Sequence, residues 1–493
     1  MALTPTDWRA SIAVDLGAGS CRVSLLRWVD GEAAITLVHR FANAPRAIAG
    51  GLRWDLAMIV AGVDEGVRKC ASIATEGVRS IAVDGWGVDY VRLDAAGQPL
   101  ADPFCYRDER TVRAEHALHE RIGTAKLREL TGIQQLRINT LYQLYADVLE
   151  KLPCQRWLHL PEYLLFRWGG AAVSEYTNAT HTQLIEITNR SWCMEIFEAA
   201  QLSLACAPTL VPPGTEIGRL RGPLAELPAL RDAVLIAPAC HDTASAIAGI
   251  PATGSDWAYI SSGTWSLVGT LLDQPQNGPA AAAENFTNLG AVGGRICFHK
   301  NVNGMWLLQQ CMNTWESDGR TWTVAELVTA AERITPIQDL LDVDDPDLLL
   351  VGQMPRRINA QRVRRGLAAL DERPENAPVF ASLIFHSLAA QYAKVLDRVA
   401  FHSGKKLKRI FIVGGGSQND FLNRLTAEST GLEVLRGPAE SATAGSFAVQ
   451  MAVLEGQRDA LTGASPEMVS QWARLLVKAM ERDASMRSAE VCF

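Results

Sequence analysis

The sequence predicts an α/β fold assembled from two similar halves, and three observations point there. Residues 11–26 (SIAVDLGAGSCRVSLL) and 257–272 (WAYISSGTWSLVGTLL) share one plan: an apolar strand, a turn of Gly and Ser, and a second apolar strand. Between and after these hairpins, short apolar runs alternate with segments of helical spacing, the pattern of strands covered by helices. A chain of 493 residues, 48% hydrophobic, is long enough to bury at least two cores. The expected division is residues 1–245 and 246–493.

In chain order, Asp30-Gly31 marks a hairpin after the first pair of strands, and residues 55–79 carry helical spacing. RSIAVDGWGVDYVRLD then reads as strand, glycine loop, strand, with Gly85-Trp86-Gly87-Val88-Asp89 at a strand end, where α/β sheets place ligand loops. Tryptophan between glycines suits either a sugar face or a tight buried loop. Residues 107–150 are helical and charged; His116 and His119 share a helix face there but match no zinc motif, so a solvated face is expected. A helix closed by Gly169-Gly170 follows, and then the polar stretch SEYTNATHTQL, which suits a pocket wall or a satisfied loop. The five arginines of 355–365 read as a solvated helix face, and 378–402 as a long helix apolar on one side.

The chemistry concentrates in residues 234–269. An apolar run delivers His241-Asp242-Thr243 to its end, and one element later Ser261-Ser262-Gly263-Thr264 forms a small-residue turn. An acid where a strand gives way to a helix, close to such a turn, suggests a proton acceptor beside a phosphate cradle. Asp15 closes the first strand in the same way before Gly17-Ala18-Gly19-Ser20. A plain hairpin with a solvated aspartate is the alternative at that turn taken alone. Two such hairpins facing one another would grip a nucleotide and exclude the water that competes for a phosphoryl group.

Other classes fit less well. A net charge of −7 opposes a polyanionic partner, so nucleic acid is not expected. The ten cysteines are scattered singly without C-x-x-C, which argues for reduced thiols and against a zinc knuckle. The N-terminal residues show no basic-then-apolar leader and no run approaches about 20 apolar residues, so neither export nor a membrane span is expected and the cytoplasm is. No Walker A loop occurs. Gly414, Gly416 and Glu433 nearly complete a dinucleotide-binding fingerprint, but Asn419 stands at its third glycine. Nothing in the sequence specifies an oligomeric state.

Seven segments in order along nearly the whole chain resemble the FGGY carbohydrate kinases of the actin/hexokinase superfamily. They are AVDLGAGSCRVSLL, IAVDGWGVDYVRLD with YRDERT, EYTNATHTQL, HDTASA, SSGTWSL, KNVNGMWLLQ and IVGGGSQNDFLNRL. The resemblance implies two ribonuclease-H-like α/β domains flanking a nucleotide/sugar cleft, the first on the sugar side and the second on the ATP side. It implies Asp242 as catalytic base, with His241, Asp242, Thr243 and Asn301 as sugar contacts and Gly87 as a backbone contact. Ala18, Gly19, Ser20, Cys21, Arg22, Thr264, Gln309 and Gly415 align with ATP contacts, and Asp15 with the acid near Mg²⁺. The implied acceptor is a small ketose. The similarity is greatest to members acting on L-rhamnulose at O1, with L-fuculose or another deoxy-ketose as alternatives; an actin-like ATPase or a Rossmann oxidoreductase is more remote. The first turn departs from the family pattern G-A-S-S-G-R at Gly19 and Cys21, and cysteine would be strained if position 21 needed a positive φ.

Overall fold

The computed structural model describes residues 3–48 and 50–490, with side chains described to residue 482. Its compact units are not consecutive halves of the chain: one comprises the N-terminal residues to Thr253 with Leu271–Phe298 and the C-terminal stretch from Ser441, the other Gly254–Thr270 and His299–Glu440.

The first unit is organised by a sheet of six strands. β1 (Ala10–Leu16), β2 (Ser20–Val29) and β3 (Glu32–Ala42) form an antiparallel meander, turned between β2 and β3 by Asp30 and Gly31, both at positive φ. The chain crosses over through α1 (Leu56–Ile73), N-capped by Asp55, whose carboxylate accepts from Met58 N–H at 2.8 Å. It re-enters the sheet as β4 (Val78–Gly85), parallel to β1, and later adds β5 (Thr215–Arg219) and β6 (Val234–Ala237). The spatial order is β5-β6-β4-β1-β2-β3, with β2 and β5 antiparallel to the other four strands. Burial alternates as the two-residue period of a strand requires. Ile12, Val14 and Leu16 pack in the core with α1, whereas Ala13 joins the opposite one.

β1 and β4 carry the same five residues. Ser11-Ile12-Ala13-Val14-Asp15 pairs with Ser80-Ile81-Ala82-Val83-Asp84, residue for identical residue. A parallel pair in that register sets two aspartates side by side at the carboxyl end of the sheet. After β6 the chain turns into the short helix α2 (Asp242–Ala248), so that Asp242 starts at the same edge.

The second unit repeats the central part of this plan. β7 (Trp257–Ser262) and β8 (Trp265–Leu272) form an antiparallel hairpin. Beyond α3 (Trp306–Ser317) and the long α4 (Ala377–Ser403), β9 (Arg409–Val413) pairs parallel with β7. α5 (Asp420–Thr430) then leads to β10 (Glu433–Arg436), parallel to β9. Hairpin plus two parallel strands therefore occurs in both units, as the matching sequence segments predict. α4 is apolar enough by length and composition to cross a bilayer, yet Phe380, Leu383, Ile384, Leu388 and Tyr392 along it are buried in the protein. The arginine-rich segment is a helix, Met354–Arg364, in which Arg362 is buried against backbone carbonyls and Arg364 pairs with Asp345 and Asp347.

α6 (Ser441–Leu454) and α7 (Pro466–Glu490) belong to the first unit and cover the face of its sheet opposite α1. Where α6 crosses α2, glycine is required on both helices. A Cβ on Gly445 would overlap the Ser245 carbonyl and sit 2.8 Å from Gly249 N, and one on Gly249 would collide with the Ser441 carbonyl. This crossing fixes the helix that begins at Asp242. Gly445→Ala is therefore expected to cost about 1–3 kcal/mol by overpacking. Thermal unfolding should show a fall in Tm of several degrees, whereas Gly123→Ala, at φ −63° with open space around it, should lose less than half as much.

Candidate active site

Three strand ends, Leu16 of β1, Gly85 of β4 and Cys240 after β6, are stitched together at the carboxyl edge of the first sheet. Trp86 N–H donates to the Leu16 carbonyl and Gly85 N–H to the Cys240 carbonyl, both at 3.0 Å. A side chain on Gly85 would run into Leu16, which explains the glycine. Open α/β sheets bind ligands at this edge.

The edge carries a concentration of charge. Arg22 lies opposite Asp15 in the β1–β2 register, and its Nη1 reaches Asp15 Oδ2 at 3.2 Å. Asp84 is fully buried beside Asp15; burial first, then the Asp15 and Asp242 carboxylates, push its pKa well above the usual range. The Ser245 hydroxyl faces it at 3.4 Å. Asp242 keeps 35% of its side-chain surface open to solvent. Protein crowding nevertheless raises its pKa to about 6, against the opposing pull of the Thr243 hydrogen bonds and the more distant Arg22. Thr243 Oγ1 donates to Asp242 Oδ1 at 3.1 Å. His241 Nε2 lies 3.5 Å from the same oxygen, but burial depresses its pKa to about 4, so the imidazole is neutral and this is no ion pair.

The segment that presents Asp242 is held from beneath by a buried acid. Glu175 Oε2 accepts from Cys240 N–H at 2.8 Å and from Thr177 Oγ1 at 2.5 Å; Thr177 Oγ1 in turn accepts from His241 N–H at 3.2 Å. Glu162 accepts from Glu175 N–H and from Asn178 Nδ2. Asn178 is fully buried. Burial raises the Glu175 carboxyl to about 8 and Glu162 to about 7. The polar stretch 175–184 thus forms a short helix, Tyr176–His181, that braces the site.

The glycine loop holds a second buried acid. Asp89 accepts from the indoles of Trp54 (2.6 Å) and Trp86 (3.0 Å), from Gln143 Nε2 (3.0 Å) and from Tyr106 N–H (3.2 Å). Trp86 is therefore the packed tryptophan of a tight loop, its ring 4.6 Å from Trp54, and not a sugar platform. Val88 sits at φ 70°, a conformation costly for a β-branched residue, with its carbonyl held by the Thr140 hydroxyl at 2.8 Å. Gly87 is buried against the His181 ring.

In the first hairpin, residues 17–20 span the turn between Leu16 and Cys21, which are paired. Cys21 has no positive φ and is an ordinary, buried strand residue, so its departure from the family pattern costs no backbone strain. The position that demands glycine is Gly17, where a Cβ would lie 2.5 Å from the Ser20 carbonyl; Gly19 has open space. Asn43 ties the turn from outside through the Gly17 and Gly19 carbonyls. Among the described residues, Ala18 N–H and Gly19 N–H donate to no protein acceptor.

The second unit gathers its own small-residue cluster. Met305 N–H and Trp306 N–H donate to the carbonyls of Gly263 and Thr264, and Gly304 is so close to that turn that a Cβ would lie 2.8 Å from both carbonyls. Gly414, at φ 80°, packs against the Ser262 carbonyl, while Gly415 is exposed. Asn301 is half-buried in the strand Ile296–Asn303, and Gln309 is exposed on α3, where its amide donates to Asn313. Asn419, at the would-be third glycine of a dinucleotide loop, N-caps α5 by accepting from Leu422 N–H at 3.0 Å. His119 is satisfied by the Tyr142 hydroxyl at 2.9 Å. Nine of the ten cysteines are free thiols; Cys492 lies outside the described residues.

Residues 10–249 match the N-terminal domain, and residues 258–454 the C-terminal domain, of the FGGY family of carbohydrate kinases. The chain belongs to this family. It is 37% identical over 449 residues to a rhamnulokinase of Enterococcus faecalis, covering 90% of this chain and 89% of that protein. To a rhamnulokinase of Bacillus subtilis it is 32% identical over 453 residues, 91% of each. Its fold matches a ligand-bound xylulose kinase from Lactobacillus acidophilus at a TM-score of 0.73, with 16% identity over 97% of this chain and 98% of that one. Plasmodium falciparum glycerol kinase with ADP matches at 0.71, with 11% identity and 98% coverage of both. As an FGGY sugar kinase, the chain uses ATP as its phosphoryl donor. Asp84 and Glu175 are the two buried acids at this edge that the sequence alone did not single out. The repeated SIAVD pentapeptide was the available signal for Asp84; none marked Glu175.

Glu175 generates a test. Its folded pKa of about 8 exceeds the ordinary 4.5, so the folded state holds the extra proton and this group's contribution to stability declines as pH rises from about 4.5 to 8. Glu175→Gln keeps the acceptor for Cys240 and should flatten that slope in denaturant titrations. Glu175→Ala leaves Cys240 N–H unpaired and should cost about 1–3 kcal/mol at pH 7.

Proposed function

We propose that this enzyme transfers the γ-phosphoryl group of ATP to O1 of L-rhamnulose, with Asp242 as the base. The observation that carries the mechanism is the Asp242 carboxylate, partly open at a strand-to-helix junction, raised to about 6 and flanked by neutral polar groups. A general base works best with a pKa near the operating pH, and this one is ionised at neutrality yet still basic enough to take a hydroxyl proton. Similarity to the rhamnulokinases over about nine-tenths of the chain supports the choice of ketose.

On this reading Gly87, His241, Asp242, Thr243 and Asn301 contact the sugar. Asp242 orients the acceptor hydroxyl and takes its proton as the oxygen attacks phosphorus; ADP leaves. Phosphoryl transfer asks a protein mainly for positioning and charge stabilisation. Ala18, Gly19, Ser20 and Cys21 supply backbone donors to the triphosphate, Arg22 its guanidinium. Thr264, Gln309 and Gly415 are assigned to the nucleotide in the second unit. We keep residues 1–245 as the sugar side and 246–493 as the ATP side.

The acids fit Mg²⁺. Asp15 and Asp242 raise the proton affinity of Asp84, with one arginine beside Asp15, a surplus of hard oxygen ligands that suits a cation retaining most of its waters. Asp15 and Asp84 would hold it, and it would neutralise charge on the phosphates. The nine free thiols fit a reducing compartment such as the cytoplasm.

Two results are expected. Asp242→Asn should lower kcat on the order of 10²–10⁴-fold while nucleotide binding, followed by fluorescence titration with a labelled ATP analogue, stays within about twofold. In the parent enzyme, kcat/KM for the ketose should fall about tenfold per pH unit below about 6, as Asp242 is protonated, and level off above 7. A coupled ADP-release screen over ketoses tests the acceptor; faster turnover of L-fuculose than of L-rhamnulose would replace the substrate while keeping the base.

A further inference from the structure

His181 closes the short helix Tyr176–His181 and has no part in the assignments above. Its surroundings are tied down on every side. Thr177 is held by Glu175, Asn178 Nδ2 by Glu162, and Thr180 Oγ1 accepts from Gly290 N–H at 2.9 Å. The imidazole projects from this brace between two of the sugar-side residues. Its ring centroid is 4.6 Å from that of His241, and it lies so close to Gly87 that any Cβ there would overlap Nδ1.

His181 is half-buried as a residue, whereas Gly87 and His241 on either side are buried, and of its ring nitrogens only Nδ1 is sealed off, which leaves the Nε2 edge open. Nδ1 is buried without a hydrogen-bond partner, and neither ring nitrogen has one among the described residues. A third histidine, His159, lies behind them, fully buried, with its Nε2 3.5 Å from the Thr140 hydroxyl. A histidine held this firmly, with an open edge and an unmet ring nitrogen, is an expensive way to fill space, because unpaired buried polar atoms cost free energy that an apolar side chain would not.

From this geometry we infer that His181 is a substrate-contacting, specificity-determining residue, whose imidazole hydrogen-bonds a hydroxyl of the ketose between Gly87 and His241. Burial and the neighbouring His241 hold His181 well below the usual histidine pKa, so the ring is neutral. At its accessible nitrogen a neutral imidazole is either a donor or an acceptor according to tautomer, and a hydroxyl can answer either. A site built to pair with a hydroxyl discriminates strongly against an analogue that lacks it or points it elsewhere. Gly87 follows from the same arrangement: the backbone approaches the sugar there because a side chain would displace the ring.

This inference rests on the sugar-kinase reading of the Asp242 site, and one experiment separates the two. Initial rates of ADP release are measured for the parent enzyme and for His181→Ala and His181→Gln, varying L-rhamnulose, its epimers at single hydroxyls and MgATP independently. The expected result is a rise of about tenfold or more in KM for L-rhamnulose in His181→Ala. KM for ATP should stay within about twofold, the ratio of kcat/KM between epimers should fall, and His181→Gln should recover part of both. An unchanged sugar KM and epimer ratio in a folded variant overturns the assignment of His181 and leaves Asp242 untouched. So does an equal rise in both KM values, which marks a structural role. If the parent turns over no ketose, both readings fall. Should His181→Ala fail to fold, the epimer ratio of His181→Gln decides, and a ratio equal to the parent's counts against the contact.

Discussion

Two buried aspartates on neighbouring strands are the constraint around which the first unit is arranged. The parallel register of β1 and β4 puts Asp15 against Asp84 because the strands repeat the same pentapeptide. Like charges at this spacing cannot both ionise cheaply in a low dielectric. Three things answer the problem. Arg22, placed by the β1–β2 register, pairs with Asp15; Ser245 on α2 offers its hydroxyl to Asp84; and Asp84 holds its proton well beyond the ordinary range. The hydroxyl pair Ser80–Ser11, closed by Gln450 of α6, satisfies the same two strands two pleat repeats deeper.

The placement of Asp242 depends on a second, separate set of buried acids. Asp242 follows β6 with no side-chain cap at its helix start, so the path of residues 240–241 has to be fixed from outside. Glu175 and Thr177 do this by taking the two preceding N–H groups. From the other side the Gly249–Gly445 crossing sets where α2 lies. Glycine here serves close approach rather than backbone freedom, since neither residue has a positive φ.

Much of this was legible in the sequence, for identifiable reasons. The two hairpins, the strand ends at Asp15 and Asp242, and the turn at Asp30-Gly31 are local patterns, and local patterns survive into the fold. The Rossmann-like glycines and the arginine run resolved as a capped turn and a paired helix face because their partners, Leu422 and Asp345 with Asp347, lie in the same neighbourhood. Glu175 was not legible, since its partner at Cys240 is 65 residues away and nothing near either announces the bond. Trp86 illustrates the limit from the other direction. Its glycine-flanked setting suited a sugar platform, but Asp89, three residues on, draws both Trp54 and Trp86 inward, and that competition is set by packing.

The electrostatics divide the site by chemistry. At the strand ends, Asp15, Asp84 and Arg22 make a strongly charged corner. On the side of the glycine loop, His159, His181 and His241 are all kept neutral by burial, and Thr243 adds a hydroxyl. On the proposed reading, the uncharged donors and acceptors of His181, His241 and Thr243 read hydroxyl positions without attracting anions, which would be drawn to protonated histidines. Neutrality is therefore a selective property of the wall as much as a consequence of desolvation. It also protects the base: an imidazolium 3.5 Å from Asp242 would favour the ionised carboxylate, pull its pKa down and weaken it as a proton acceptor. On the proposed reading, burying the histidines keeps the acceptor pocket blind to charge and keeps Asp242 basic, and a single physical cause does both.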